Sequence, residues 1–168
     1  MSVATWYAWK TLTGVSLLTA RQLLREVTPL KADCGRICGA ACCQPYPAQD
    51  GEASGMYLFP GEERLYGPDD TWAQVLPTDW VAPLLVCQGT CPRERRPLAC
   101  RLFPLCARPE GEGFALRLDP RAWPVCALMP HGLAGLDPAF VAAAKAAFTV
   151  LWADEEQKAF LFELDRLL

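Results

Sequence analysis

The sequence predicts an α-rich α+β domain. A small, irregular, cysteine-rich region packs on an N-terminal helix and a C-terminal helical pair, and residues 1–168 form a single domain. Three observations carry that expectation. The nine cysteines stand at 34, 38, 42, 43, 87, 91, 100, 106 and 126, so none falls in the first 33 residues or the last 42. Residues 34–126 also hold twelve of the fifteen prolines, which leaves little room for long regular elements there. Both flanks, by contrast, repeat apolar residues at helical spacing.

The first element is a helix over 11–28. Leu17, Ala20, Leu24 and Val27 line one face, and Pro29 follows the end. Within the middle, short strands are expected at Met56-Tyr57-Leu58-Phe59 and at Phe114-Ala115-Leu116-Arg117-Leu118, the second after the turn Glu110-Gly111-Glu112-Gly113. Asp137-Pro138 reads as an N-cap with proline at the first helical position, and Phe140, Ala144, Ala147 and Leu151 then make one face. A second helix starts at Asp154, with Gln157 placed as in a capping box, and turns Phe160, Leu164 and Leu167 to the core. These two helices, within 137–168, form an antiparallel pair that packs on the first helix.

Composition narrows the function. A chain of 168 residues that is 52% hydrophobic and 21% charged builds a core without staples, so the cysteines are not there merely to let a small scaffold fold. The net charge of −3 argues against nucleic acid as the main partner. Residues 1–20 are fairly apolar, but Lys10 interrupts them and no basic segment precedes them, so no secretory signal is expected. Arg21, Arg25 and Glu26 disqualify the longer stretch to Val27 as a membrane span. The expected location is the cytoplasm. In that reducing compartment an odd number of cysteines fits metal or redox chemistry better than a disulfide framework.

The first cysteine cluster is Cys34-x3-Cys38-x3-Cys42-Cys43. On a helix, Cys34, Cys38 and Cys42 would share one face; in a loop, Gly35 and Gly39 would let the backbone curl round an ion. Cys42 and Cys43 are neighbours and point in different directions, which suits two separate metals or a multinuclear cluster better than one small tetrahedral ion. The second cluster is Cys87-x3-Cys91-x8-Cys100-x5-Cys106, with Cys126 further on; Cys87 alone reads equally as a free buried thiol. Prolines and arginines stiffen this segment. Soft thiolates select zinc, copper(I) or iron–sulfur clusters, and His131 is the only histidine, so a histidine-based zinc site is nearly excluded.

The runs CGRICGAACC at 34–43 and CPRERRPLACRLFP at 91–104 resemble the YkgJ-type cysteine-cluster family, also described as the CxxCxxCC zinc- or iron-chelating domain, which includes flagellin lysine N-methylases. The likeness covers roughly residues 34–106: a first cluster ending in two adjacent cysteines, then Cys91, Arg96-Pro97 and Cys100-Arg101-Leu102-Phe103-Pro104. The first cluster has three-residue gaps where many members have two, and Arg93-Glu94 stand where Ile-Tyr is common. The resemblance implies metal binding more strongly than it implies methylation, and the chain carries no recognisable S-adenosylmethionine motif.

The metal ligands expected are therefore Cys34, Cys38, Cys42, Cys43, Cys91, Cys100, Cys106 and Cys126, holding an iron–sulfur cluster or Zn²⁺. Four thiolates round Zn²⁺ leave a net charge of about −2, and among Arg93, Arg95, Arg96, Arg101 and Arg108 the pair Arg96 and Arg101 is favoured to offset it; the others read as a solvated face. Gly61-Glu62-Glu63 reads as a turn or helix start, His131 as a surface turn residue, and Trp72, Trp80 and Trp123 as core or lid residues. No other catalytic signature is present. The expected function is a cysteine-ligated metal centre that organises the fold and serves a protein–protein role. Two alternatives stand beside it: an enzyme using the centre, either redox or protein-lysine methylation, and a soft-metal carrier or sensor. Whether the chain catalyses a reaction is not decided by its sequence.

Overall fold

The computed structural model describes residues 12–44, 55–80 and 82–168. It is a mixed helical and sheet structure of the α+β kind. Helix α1 (Leu12–Leu23) buries Leu17 and Ala20, with Leu24 just past its end. It stops earlier than the apolar spacing predicts: Arg25 N–H bonds the Gln22 carbonyl in a closing turn, and Pro29 favours extended backbone at Thr28. Val27 still packs on the core from outside the helix, and residue 11 lies outside the described residues.

Helix α4 (Pro138–Trp152) forms as its cap predicts, with the Asp137 carboxylate accepting from Ala139 N–H at 2.9 Å. Phe140, Ala144, Ala147 and Leu151 are all buried, with Phe148 added to the face. The alanines let α4 lie against α1. Helix α5 (Glu155–Asp165) is capped by Asp154, whose carboxylate accepts from Glu156 and Gln157 N–H and also takes the Ser16 hydroxyl at 2.6 Å, tying α1 to the start of α5. The capping box does not close. The Gln157 side chain is fully buried and donates to the Pro60 carbonyl at 2.9 Å, because the chain at Pro60 brings an unpaired acceptor against this helix.

The sheets were only partly legible. Strands β1 (Met56–Tyr57), β2 (Ala73–Leu76) and β3 (Leu84–Cys87) form an antiparallel sheet in the order β1-β3-β2, with Met56 opposite Leu85 and Ala73 opposite Cys87. Gly55 precedes β1 where a Cβ would collide with the Leu85 carbonyl oxygen, so only glycine lets the two backbones approach. Strands β4 (Leu105–Glu110) and β5 (Gly113–Leu118) form a hairpin about the predicted turn, with Gly111 at positive φ. Helix α5 packs on β4 as well as on α4, so the helical pair covers the hairpin and only α4 lies broadly on α1. The core joins Leu17, Phe59, Leu98, Phe140, Leu151 and Phe160, with Phe59 and Phe160 edge to face at 4.9 Å between centroids.

Glu62 joins these layers. It sits in a 3-10 turn (Glu62–Leu65), fully buried, and accepts from the Arg21 guanidinium at 2.6 Å, Leu98 N–H at 2.7 Å and Phe59 N–H at 3.2 Å. This one carboxylate connects α1, the end of β1 and helix α3 (Leu98–Leu102). It lies at a turn, as the sequence predicts, and works there as a buried clamp.

Candidate metal centre

The chain brings cysteines together from four places. Cys34 and Cys38 bracket helix α2 (Gly35–Cys38), a single turn that ends at Gly39 in the left-handed region (φ 64°). Ala40 is also left-handed, and a 3-10 turn (Ala41–Cys43) follows. The segment is therefore neither one helix nor a plain loop. The two left-handed residues break it between Cys38 and Cys42 and re-aim Cys42 and Cys43. Cys87 ends β3, Cys91 follows the Gly89 turn, Cys100 rides on α3, and Cys126 sits in the turn after the 3-10 segment Pro120–Ala122.

Two cavities lie among these cysteines. The larger, of about 270 Å³, is walled by Cys42, Cys43, Cys87, Cys91 and Cys100, and faces Tyr57, Trp72 and the Asp119–Arg121 pair. The smaller, of about 60 Å³, is walled by Cys34, Cys38, Cys42, Cys100 and Cys126, with Arg96 at its edge. Cys87 thus joins the group, within 3.5 Å of the Cys43 carbonyl. Cys106 stands apart. It is buried in β4 opposite Arg117, and burial, with Asp119 next, pushes its thiol up to about 12. Its electrostatic neighbours are Asp119, Arg121, Arg108 and Asp165, none of them a cysteine.

The sulfurs are electrostatically differentiated. The Cys43 thiol lies within hydrogen-bonding reach of Cys42, Cys87 and Cys91 and keeps its proton, so its own ionisation is pushed up. That one proton can serve only one sulfur at a time; beside Cys43, Cys42 is lowered to about 7, and Cys87 and Cys91 to about 6, against the opposing effect of burial. Cys100 is raised by burial and then by Cys91, Cys42 and Cys87; Cys34 and Cys126 are raised first by burial and then by neighbouring thiols. Among the described residues, no three His, Cys, Asp or Glu side chains form a group that could hold a metal ion. The donor chemistry nonetheless fits zinc or an iron–sulfur cluster: a set of thiols, several of them biased to thiolate, with an arginine beside them.

The Arg96 guanidinium acts on Cys91 and, further off, on Cys43 and Cys100; burial works against its charge and these sulfurs hold it above its ordinary range. Arg101 acts one step back. Its guanidinium donates to the carbonyls of Arg96, Arg93 and Glu94 at 2.9–3.0 Å and so holds the turn that presents Arg96. Arg95 pairs with Asp70 and Arg108 with Asp165, both at the surface. Arg96→Ala is expected to raise the Cys91 thiol and slow its alkylation by iodoacetamide roughly threefold to tenfold near about pH 6.5 in metal-free protein, read by mass spectrometry of the Cys91 peptide. An unchanged rate would show that Arg96 does not act on Cys91.

Trp72 lines the larger cavity, whereas Trp80 and Trp123 are 63% and 60% exposed, so of the core-or-lid expectation the core half fails for those two. His131 is exposed in a 3-10 turn. No helix among the described residues is long and apolar enough to cross a membrane. No protein-family model, curated protein or solved structure matches the chain.

Proposed function

We propose that the chain is a cysteine-ligated metal protein, carrying an iron–sulfur cluster or zinc on Cys34, Cys38, Cys42, Cys43, Cys87, Cys91, Cys100 and Cys126, and that the metal organises segment 34–44 against the rest of the domain. The observation that carries this reading is the convergence of eight thiols from four separated segments on two adjoining cavities. Cys106 is left out of the ligand set because it lines neither of these cavities and is buried in β4 at a third, mostly apolar one with Phe59, Leu102 and Leu161. The likeness to YkgJ-type cysteine-cluster proteins adds to the reading through residues 34–43 and 91–104. A reducing, cytoplasmic setting and a partner protein belong to the same proposal.

The larger cavity favours a second reading, an enzyme that uses the centre. Beyond the thiols this cavity is bordered by Tyr57, Trp72 and the Asp119–Arg121 pair, groups an enzyme that uses the centre would have beside it. A bound cluster would supply one-electron chemistry there, and zinc a Lewis acid. The chain's own residues shape the space. Tyr57 and Trp72 wall it, and the Asp119 carboxylate orients Arg121 through a short bond of 2.6 Å. The methylation and carrier readings gain no specific support from the geometry.

The test is anaerobic purification with measurement of iron, zinc, labile sulfide and the visible spectrum. Iron and sulfide in similar amounts with a brown colour would identify a cluster; zinc without colour would identify a zinc centre. A protein that carries no metal after anaerobic handling would sink the proposal.

A further inference from the structure

Helix α1 has an unused side. Leu17, Ala20 and Leu24 turn inward, while Val15, Leu18, Gln22 and Arg25 follow one another at helical spacing on the outside. Val15 is 56% exposed and Leu18 43%. Between this side and the 3-10 turn Arg93–Arg95 lies an open groove of about 500 Å³, lined by Leu18 and by Arg21, Arg25, Arg93 and Arg101. Four guanidiniums along one groove run against the chain's net charge of −3.

The chain meets these charges incompletely. Arg21 is met by the buried Glu62. Arg25 lies 3.1 Å from Glu26 with both side chains largely in solvent, a pairing of little strength. Arg101 spends its hydrogen bonds on the carbonyls of Arg93, Glu94 and Arg96, and among the described residues neither it nor Arg93 is ion-paired. Against the groove's own Glu26 and Glu94, and the Glu62 behind Arg21, the arginines remain in excess.

We propose that this groove docks an acidic segment of a partner protein, its carboxylates pairing with Arg25, Arg93 and Arg101 and an apolar residue covering Leu18 and Val15. Arginine suits the task, since its planar fork takes a carboxylate on two N–H bonds and loses its hydration more readily than an ammonium. A nucleic acid fits less well. Glu26 and Glu94 interrupt the basic track that a phosphate backbone follows, and the apolar neighbours are aliphatic, where single strands stack their bases on aromatic rings. The inference does not need the cysteines to hold metal. A partner seated here would nonetheless bear on the elements that form the cysteine site, because the turn after Arg93 presents Arg96 and α3 carries Cys100 beside Arg101.

The experiment measures fluorescence anisotropy on the full chain, purified anaerobically, at low ionic strength. The probe is a fluorescein-labelled oligoglutamate peptide with a central leucine pair. It is expected to bind wild type and to be released as salt rises. Arg25→Glu/Arg93→Glu is expected to weaken binding by about tenfold or more, with the helices intact by far-UV circular dichroism because both side chains are exposed. Arg117→Glu/Arg166→Glu changes the net charge equally, at side chains 56% and 72% exposed on other elements, and is expected to stay within about twofold of wild type. A peptide that does not bind wild type, a groove variant that binds as wild type does, or a control variant that loses as much as the groove variant each overturns the proposal. Labelled oligothymidylate that binds wild type more tightly than the peptide, and is lost in Arg25→Glu/Arg93→Glu, overturns it in favour of nucleic acid. Should that double variant lose its helices, Arg93→Glu alone decides by the same criteria.

Discussion

Glu62→Ala is expected to lower the free energy of unfolding by about 3–5 kcal/mol, read as a shift of the urea midpoint of the metal-loaded protein. The carboxylate is fully buried and the Arg21 side chain is only 14% exposed, so removing Glu62 strands a nearly buried guanidinium and leaves the amides of Leu98 and Phe59 without their acceptor. Glu62→Gln keeps one acceptor oxygen and is expected to cost less. Arg21→Met tests the same clamp from the other side, and its signature is pH dependence. Burial raises the Glu62 carboxyl, while Arg21 and the two amides pull it down. A raised native value means that the folded state holds the proton more tightly than the unfolded state. The contribution of Glu62 is therefore full below the ordinary carboxylate range and declines as pH rises through its native titration. Arg21→Met removes a downward pull, so its deficit against wild type should widen from acid toward neutral pH. A deficit equal at every pH would mean that the two side chains are not coupled.

The clamp also shows what the sequence conveys and what it does not. Asp137-Pro138 and the face Phe140, Ala144, Ala147, Leu151 announce α4 because each signal lies within a turn or two of its effect. Glu62 reads only as a turn residue, since its partners Arg21 and Leu98 are distant in the chain and meet it only after folding. Strands β2 and β3 are missed for a related reason. Ala73–Leu76 and Leu84–Cys87 are short and lack a clean apolar–polar alternation, and their pairing holds them in place.

At the cysteines, the sequence expects Cys42 and Cys43 to point in different directions, whereas the structure sets the Cys43 thiol beside Cys42. Membership of the cluster is not legible either. Cys106 follows Cys100 by six positions and reads as its partner, yet it enters strand β4, where its electrostatic neighbours are Asp119 and Arg121. Cys87 is 44 residues from Cys43, and the β3 strand delivers it to within 3.5 Å of that residue's carbonyl. Spacing ranks candidates by proximity in sequence; the sheet decides proximity in space.

Anaerobic removal of the metal is expected to release segment 34–44 while leaving α4 and α5 folded. The reason lies in how unevenly the core is shared. Helices α4 and α5 bury Phe140, Phe148, Leu151, Phe160 and Leu161, enough apolar surface to stand without a metal. Helix α2 and the turn at Ala41–Cys43 bury no residue at all. Among the described residues, their backbone hydrogen bonds are local, such as Ala40 N–H to Gly35 and Cys43 N–H to Ala40. Contact with the rest of the domain includes the half-buried Cys34, Cys38 and Cys43 and the Cys87 thiol on the Cys43 carbonyl. Structural zinc supplies about 10–16 kcal/mol of apparent binding free energy in small metal-folded peptides, so even a fraction of that exceeds the other forces acting on these residues. Hydrogen–deuterium exchange on the full chain, before and after chelation, separates the outcomes. Loss of protection at 34–44 and around Cys87–Cys91, with α4 unchanged, is the expected pattern. Equal protection of 34–44 in both states would show that the segment is held by contacts other than metal, and the organising role assigned to the centre would fall.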